Sequence, residues 1–170
     1  MKKNSLPLIF LFAMACPVVF SQTNYSASIN GGLIRAKDNY GRVFSGHFEY
    51  ELKNNLVIGA GYSYAELDRG KKAPFDIHKY SLTIGNNSNC SGCDIYSFFK
   101  IGPDLLFFRG IDYKDKAEVG VELSSGFYSK IVGGLSSGLS SEVNFNTSGS
   151  HFLSFFINLR YDFSRKKEKL

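Results

Sequence analysis

The chain has 170 residues with 20 basic and 15 acidic side chains, a formal net charge of +5, and no Trp among its many aromatics (10 Tyr, 16 Phe). The basic excess sits at the two ends, because residues 22–163 hold 14 basic and 14 acidic side chains. A neutral body lacks the electrostatic footprint of a nucleic-acid binder, and the length allows one domain.

Met1-Lys2-Lys3 is a cationic start, followed by an apolar run from Leu6 to Phe20 broken by Pro7 and Pro17. Val19-Phe20-Ser21 before Gln22 suits signal peptidase, so residues 1–21 read as a cleaved export signal, too short for a spanning anchor. A lipoprotein would need cleavage before Cys16, where Ala13 is a poor lipobox residue. The expected organisation is a signal at 1–21, one sheet domain at 22–163 and a basic periplasmic tail at 164–170.

The body then alternates in period two. Residues 25–36 set Tyr25, Ala27, Ile29 and Leu33 against Ser26, Ser28 and Asn30. Residues 42–52 set Phe44, Phe48, Tyr50 and Leu52 against Ser45, His47, Glu49 and Glu51. Residues 56–66 oppose Leu56, Ile58, Ala60, Tyr62 and Tyr64 to Val57, Gly59, Gly61, Ser63 and Ala65. Residues 77–86 oppose His78, Tyr80, Leu82 and Ile84 to Lys79, Ser81 and Thr83. Residues 95–109 oppose Ile95, Phe99, Ile101, Leu105 and Phe107 to Tyr96, Phe98, Lys100 and Asp104.

Pro103 is awkward there, since proline removes a ladder donor, and a break at Gly102-Pro103-Asp104 would give nine strands. Even counts are the rule for bacterial single-chain barrels, which favours a continuous strand. Residues 117–131 oppose Val119, Val121, Leu123 and Phe127 to Glu118, Glu122, Tyr128 and Lys130. Residues 135–146 oppose Leu135, Leu139, Val143 and Phe145 to Ser136, Gly138, Ser140 and Glu142. The last strand is the cleanest, with Leu153, Phe155, Ile157, Leu159, Tyr161 and Phe163 against Asn158, Arg160 and Asp162.

Eight strands near the ~9–11 residues of a tilted membrane crossing, rather than the ~5–6 typical of globular sheets, predict an all-β, antiparallel, up-and-down transmembrane barrel. Apolar faces would meet lipid, and Glu49, Glu51, Lys100, Glu122, Lys130, Arg160 and Asp162 would pair inside the lumen. The soluble alternative is a lipocalin-like barrel with reversed faces and a small apolar ligand, but the Gly-x-Trp signature of that class is missing.

Cys90-Ser91-Gly92-Cys93 is the one compact motif. Export favours a disulfide across a tight turn, whereas zinc would need a second ligand pair and a redox role a following helix. No cofactor or metal is expected.

The export signal, the long alternating strands and the terminal Ile157-x-Leu159-x-Tyr161-x-Phe163 resemble the OmpA/OmpX-like small outer-membrane barrels. The resemblance implies a cell-envelope protein in the outer membrane of a Gram-negative-type bacterium, with lipid as its surroundings and a monomer as its state. It also implies a last strand read by the barrel-assembly machinery, although such signals usually end the chain and here Ser164–Leu170 follow.

Some members of this fold modify lipid A acyl chains with a His-x-Ser pair. His151 and Ser154 are three apart and so fall on opposite faces, and no nucleophile, base and orienting group come together. The expected role is therefore structural or surface-interacting rather than enzymatic. Both termini should be periplasmic, with turns at 53–55, 86–94 and 132–134 on that side and surface loops at 37–41, 67–76, 110–116 and 147–150.

Overall fold

Alternation of this length leaves each strand with one polar and one apolar face, and a sheet closed on itself gives both faces a solvent. The computed structural model describes residues 24–37, 39–52, 55–69, 72–89, 94–110 and 113–163. The expected export signal, the tail from Ser164 and the Cys90–Cys93 motif lie outside them.

The described residues form eight strands: β1 (Asn24–Ala36), β2 (Asn39–Glu51), β3 (Leu56–Arg69), β4 (Lys72–Asn89), β5 (Ile95–Gly110), β6 (Tyr113–Val132), β7 (Leu135–Asn146) and β8 (His151–Asp162). Each pairs antiparallel with its chain neighbours, and β1 closes the barrel against β8. Ser26 stands opposite both Glu49 and Asp162, so the two ends of the barrel sequence share one rim, here the terminal end.

β5 is continuous through Gly102-Pro103, which rules out the nine-strand reading. Pro103 faces outward and pairs with Val121 of β6, while the ladder to β4 is interrupted between Ile101 and Asp104. That gap matches the donor proline lacks. A Cβ at Gly102 would fall on the Leu82 carbonyl, so only glycine allows this approach.

Three of the four expected surface loops are corrected. Strands run on through most of 37–41, 67–76 and 110–116, leaving two-residue links at 37–38, 70–71 and 111–112, whereas 147–150 remains a four-residue link. At the terminal end, the nine-residue turn expected at 86–94 shortens because β4 continues to Asn89. Continued pairing satisfies backbone groups that a loop would leave to water. Lys37 accepts φ 54° in its tight link, a conformation that favours Gly or Asn.

The outward faces are apolar: Ile29, Leu33, Phe155 and Ile157 are 66, 66, 58 and 71% exposed. A reversal follows near the distal rim. Outward positions become charged at Arg35, Arg42, Glu66, Asp68, Asp76 and Arg109, while inward positions become apolar. Ile34, Val43, Leu67, Phe75, Ile77, Leu106, Phe108 and Phe152 form one buried cluster there. The terminal and middle parts are therefore apolar outside and polar inside, and the distal part of β1–β5 is the opposite, whereas β6–β8 keep Val119, Phe145 and Leu153 outward and Glu118 buried inward.

Candidate functional site: the charged lumen

Inward positions in the lower and middle lumen carry charges that the closed sheet brings together from distant strands. Near the terminal end, β2 supplies Glu49, β5 Lys100 and β8 Arg160, all buried. Arg160 Nη1 donates to Glu49 Oε2 at 2.8 Å, and its Nε donates to Asp162 Oδ1 at 2.8 Å. Lys100 Nζ donates to the other oxygen of Glu49. One carboxylate thus binds two cations through separate oxygens.

Aromatic rings line the same level. The Arg160 guanidinium lies 5.5 Å from the Tyr96 ring and 5.4 Å from the Tyr128 ring, and Lys100 Nζ is 4.3 Å from the Phe98 ring. Cation–π attraction adds to the ion pairs where water is excluded.

A second cluster lies farther from the terminal rim. Lys79 Nζ of β4 donates to Glu122 Oε2 of β6 at 2.8 Å and to Glu142 Oε1 of β7. Asn144 Nδ2 donates to Asp104 Oδ2 at the same side of the lumen. Between the clusters His47 shares a 3.2 Å hydrogen bond with Ser45. His47 also lines a cavity of only about 30 Å³, together with Glu49, Lys100, Glu122 and Glu142. That is room for about one water, not for a hydrated path.

Of the residues singled out from sequence, Glu49, Lys100, Arg160 and Asp162 meet in one network, while Glu122 joins the other. Glu51 reaches neither; it is half-buried at the rim and accepts a 3.5 Å hydrogen bond from Asn87. Lys130 is corrected. Lys130 pairs with Ser136, which stands opposite Arg160, but the Lys130 side chain is exposed and joins neither buried cluster.

Lys79 and Glu142 were on the inward face of the alternation but had not been paired. The two partners of Lys79, Glu122 and Glu142, lie 43 and 63 residues away from it in the chain. Ile157, Leu159, Tyr161 and Phe163 all face outward and exposed. His151 is exposed and Ser154 is buried inward, so they do not approach each other as a catalytic pair would.

At the distal mouth a cavity of about 550 Å³ is lined by Phe75, Phe108 and Phe152 below and by Lys37, Glu118 and Ser148 at its edge. Glu118 accepts a 2.8 Å hydrogen bond from Ser148 and pairs with Lys116.

An apolar exterior around a closed, charge-filled sheet of eight strands is the architecture of a small transmembrane β-barrel. Solved members of that class superpose on it. Neisserial surface protein A gives a TM-score of 0.67 at 9% identity, over 82% of this chain and 96% of the other. The N-terminal barrel domain of Pseudomonas aeruginosa OprF gives 0.62 at 12% identity, over 84% and 100%. Ail, the attachment invasion locus protein of Yersinia pestis, gives 0.55 at 14% identity, over 84% and 99%. No protein-family model and no curated protein matches the chain. The likeness is one of fold.

Proposed function

We propose that the chain is a closed, non-conducting outer-membrane barrel with a structural or surface-interaction role. The observation that carries this reading is the pair of buried ion clusters spanning the lumen, Glu49 with Lys100 and Arg160, and Lys79 with Glu122 and Glu142. An eight-stranded interior is just wide enough for side chains to fill, and the distal apolar cluster adds a second closure above the charges. Nothing in this arrangement resembles a nucleophile with its base, so the role is read as non-enzymatic.

Export through a cleaved signal, periplasmic termini and a last strand recognised during assembly complete the reading. Planar-bilayer recording tests it directly. The wild-type barrel, shown to be folded by its altered migration on unboiled gels, should give no steady channels, and a large steady conductance would overturn the closure. A Cys at Lys37 should react with an external reagent in intact cells and one at Asn55 should not; the reverse would invert the orientation.

A second reading rests on the distal mouth. Its aromatic floor and polar edge suit a small apolar ligand carrying one polar group. Saturable binding of a fluorescent apolar probe, lost on Phe152→Ala, would favour it.

A further inference from the structure

The ladder of this closed sheet is a spiral, and its pitch sets the level at which each strand stands. Arg35 pairs with Leu153, and the same row runs on through Leu123, Ile101 and Ile58 to Tyr25. One turn thus leads from position 35 of β1 to position 25, a drop of little more than one residue per strand.

Allowing for that drop, Arg35, Arg42, Glu66 and His78 stand at one distal level on β1–β4. Leu105, Val119 and Phe145 stand at the same level on β5–β7. All of them face outward. One half of the barrel is therefore polar or charged at this height, while the other half is apolar and exposed.

The terminal end is displaced in the same direction. Tyr25, Tyr50, Leu56 and Tyr161 face outward at one level on β1, β2, β3 and β8, where tyrosines suit a membrane interface. At that level β4–β7 present Asn86, Ser97, Ser129 and Ser137. The apolar belt of β5–β7 both starts and stops nearer the distal end than the belt of β1–β3. The offset is one residue pair, about 5 Å along the axis for strands inclined near 45°.

A bilayer offers one hydrocarbon thickness to both sides of a barrel, so a belt shifted alike at its two ends is met by tilting. Upright seating would either immerse Arg35, Arg42 and Glu66 or leave Val119 and Phe145 in water. A lipid-facing charge grows costlier with depth.

We propose that the barrel sits obliquely in the bilayer, with Leu105, Val119 and Phe145 of β5–β7 in hydrocarbon and Arg35, Arg42 and Glu66 of β1–β3 above it. Hydrocarbon is the occupant of the distal β5–β7 face because a protein partner would cover that patch without withdrawing the terminal end. The tilt also turns the mouth. Phe145 is two positions from Thr147, and the following Ser148–His151 line the distal cavity, so the cavity's lip on this side lies at the bilayer surface. The inference rests on the membrane-spanning placement of the barrel but not on the closure of its lumen.

Ile95 and Ile131, outward and exposed at the terminal rim of β5 and β6, define the rival arrangement. A belt that is merely taller on this side would immerse them too, with no tilt.

The test places the protein, with Cys16→Ser, Cys90→Ser and Cys93→Ser, in dioleoylphosphatidylcholine vesicles with and without acyl-brominated lipid. A single NBD-labelled cysteine reports quenching, and unboiled-gel migration certifies folding of every sample. Val119→Cys and Phe145→Cys should be quenched at least twice as strongly as Arg42→Cys and Glu66→Cys. At the other end Tyr50→Cys and Leu56→Cys should be quenched at least twice as strongly as Ser97→Cys and Ser137→Cys.

Equal quenching around the distal level overturns the proposal. A distal difference with equal quenching at the terminal level overturns the tilt in favour of the taller belt. Weak quenching at Val119→Cys and Phe145→Cys that rises as the protein is diluted in lipid overturns it in favour of a second copy on that face. Ile157→Cys, in the middle of the belt, is the reference: its failure to quench would remove the membrane placement itself, whereas upright seating with Ile157→Cys quenched refutes this inference alone.

Discussion

Lys79→Met removes the ammonium from the upper lumen while keeping most of the side chain's volume. Glu122 and Glu142 are then left buried with the cation between them gone; the two carboxylate side chains are 1 and 8% exposed. Breaking a buried pair by deleting one partner costs about 3–5 kcal/mol. At about 1.4 kcal/mol per tenfold, that is roughly two to three and a half orders of magnitude in the folding equilibrium.

The rim pair Lys116–Glu118 is the control, since the Lys116 side chain is 52% exposed and Glu118, 5% exposed, keeps its hydrogen bond from Ser148. Lys116→Met should cost no more than about 1 kcal/mol. The assay is equilibrium urea unfolding in lipid vesicles, with the folded fraction read from unboiled gels and stability from the midpoint and slope. Lys79→Met combined with Glu122→Gln and Glu142→Gln should recover most of the loss, because an uncharged network no longer strands a charge. A cost below about 1 kcal/mol for Lys79→Met, or a triple variant as unstable as the single one, would refute a dry, ion-paired lumen.

Three further outcomes can be measured in the same unfolding assay. Ile157→Arg puts a charge near the middle of the apolar face of β8, at a site 71% exposed to lipid, and should cost about 2–4 kcal/mol; a neutral result would displace the hydrocarbon band. Gly102→Ala drives a methyl into the Leu82 carbonyl and should cost about 1–3 kcal/mol; no loss would mean that β4 and β5 separate freely there. Lys37→Asn suits the φ of 54° and should gain about 0.5–1 kcal/mol; an unchanged midpoint would show that the link relaxes.

The strand number and the inside and outside of each strand were legible because period two is a local property of the chain. The apolar set of the last strand, from Leu153 to Phe163, is the clearest case. Height inside the barrel is not local. Whether Glu49 meets Lys100 or Glu51 does depends on register around the whole sheet, and Lys79 meets Glu142 only because β4 and β7 face each other across the closed barrel.

Lys130 misled because alternation tells which face a residue is on but not whether, near a rim, its side chain is buried; Lys130 is exposed there. The distal reversal did have a signal. In β3, Tyr62 and Tyr64 face outward and Ser63 inward, but two residues later Glu66 faces outward and Ala65 and Leu67 inward. Glu66 is the last position of the strand expected at 56–66 and Leu67 the first of the loop expected at 67–76, so the change of sign is split between them.

That reversal also fixes how deep the molecule sits. Below the charged row the outside wants hydrocarbon, and above it the outside wants water, so sliding the barrel by one residue pair drags Arg35, Arg42, Glu66 and Arg109 across the boundary together. A single mismatched side chain could snorkel back to the interface, and several at once would each have to do so, which adds their costs. A bilayer thicker than the apolar belt must therefore thin around the protein, at a cost that grows with every ångström of mismatch. Such a wall would act as a thickness gauge, retaining the barrel in thin membranes and gathering the thinnest lipid around it elsewhere.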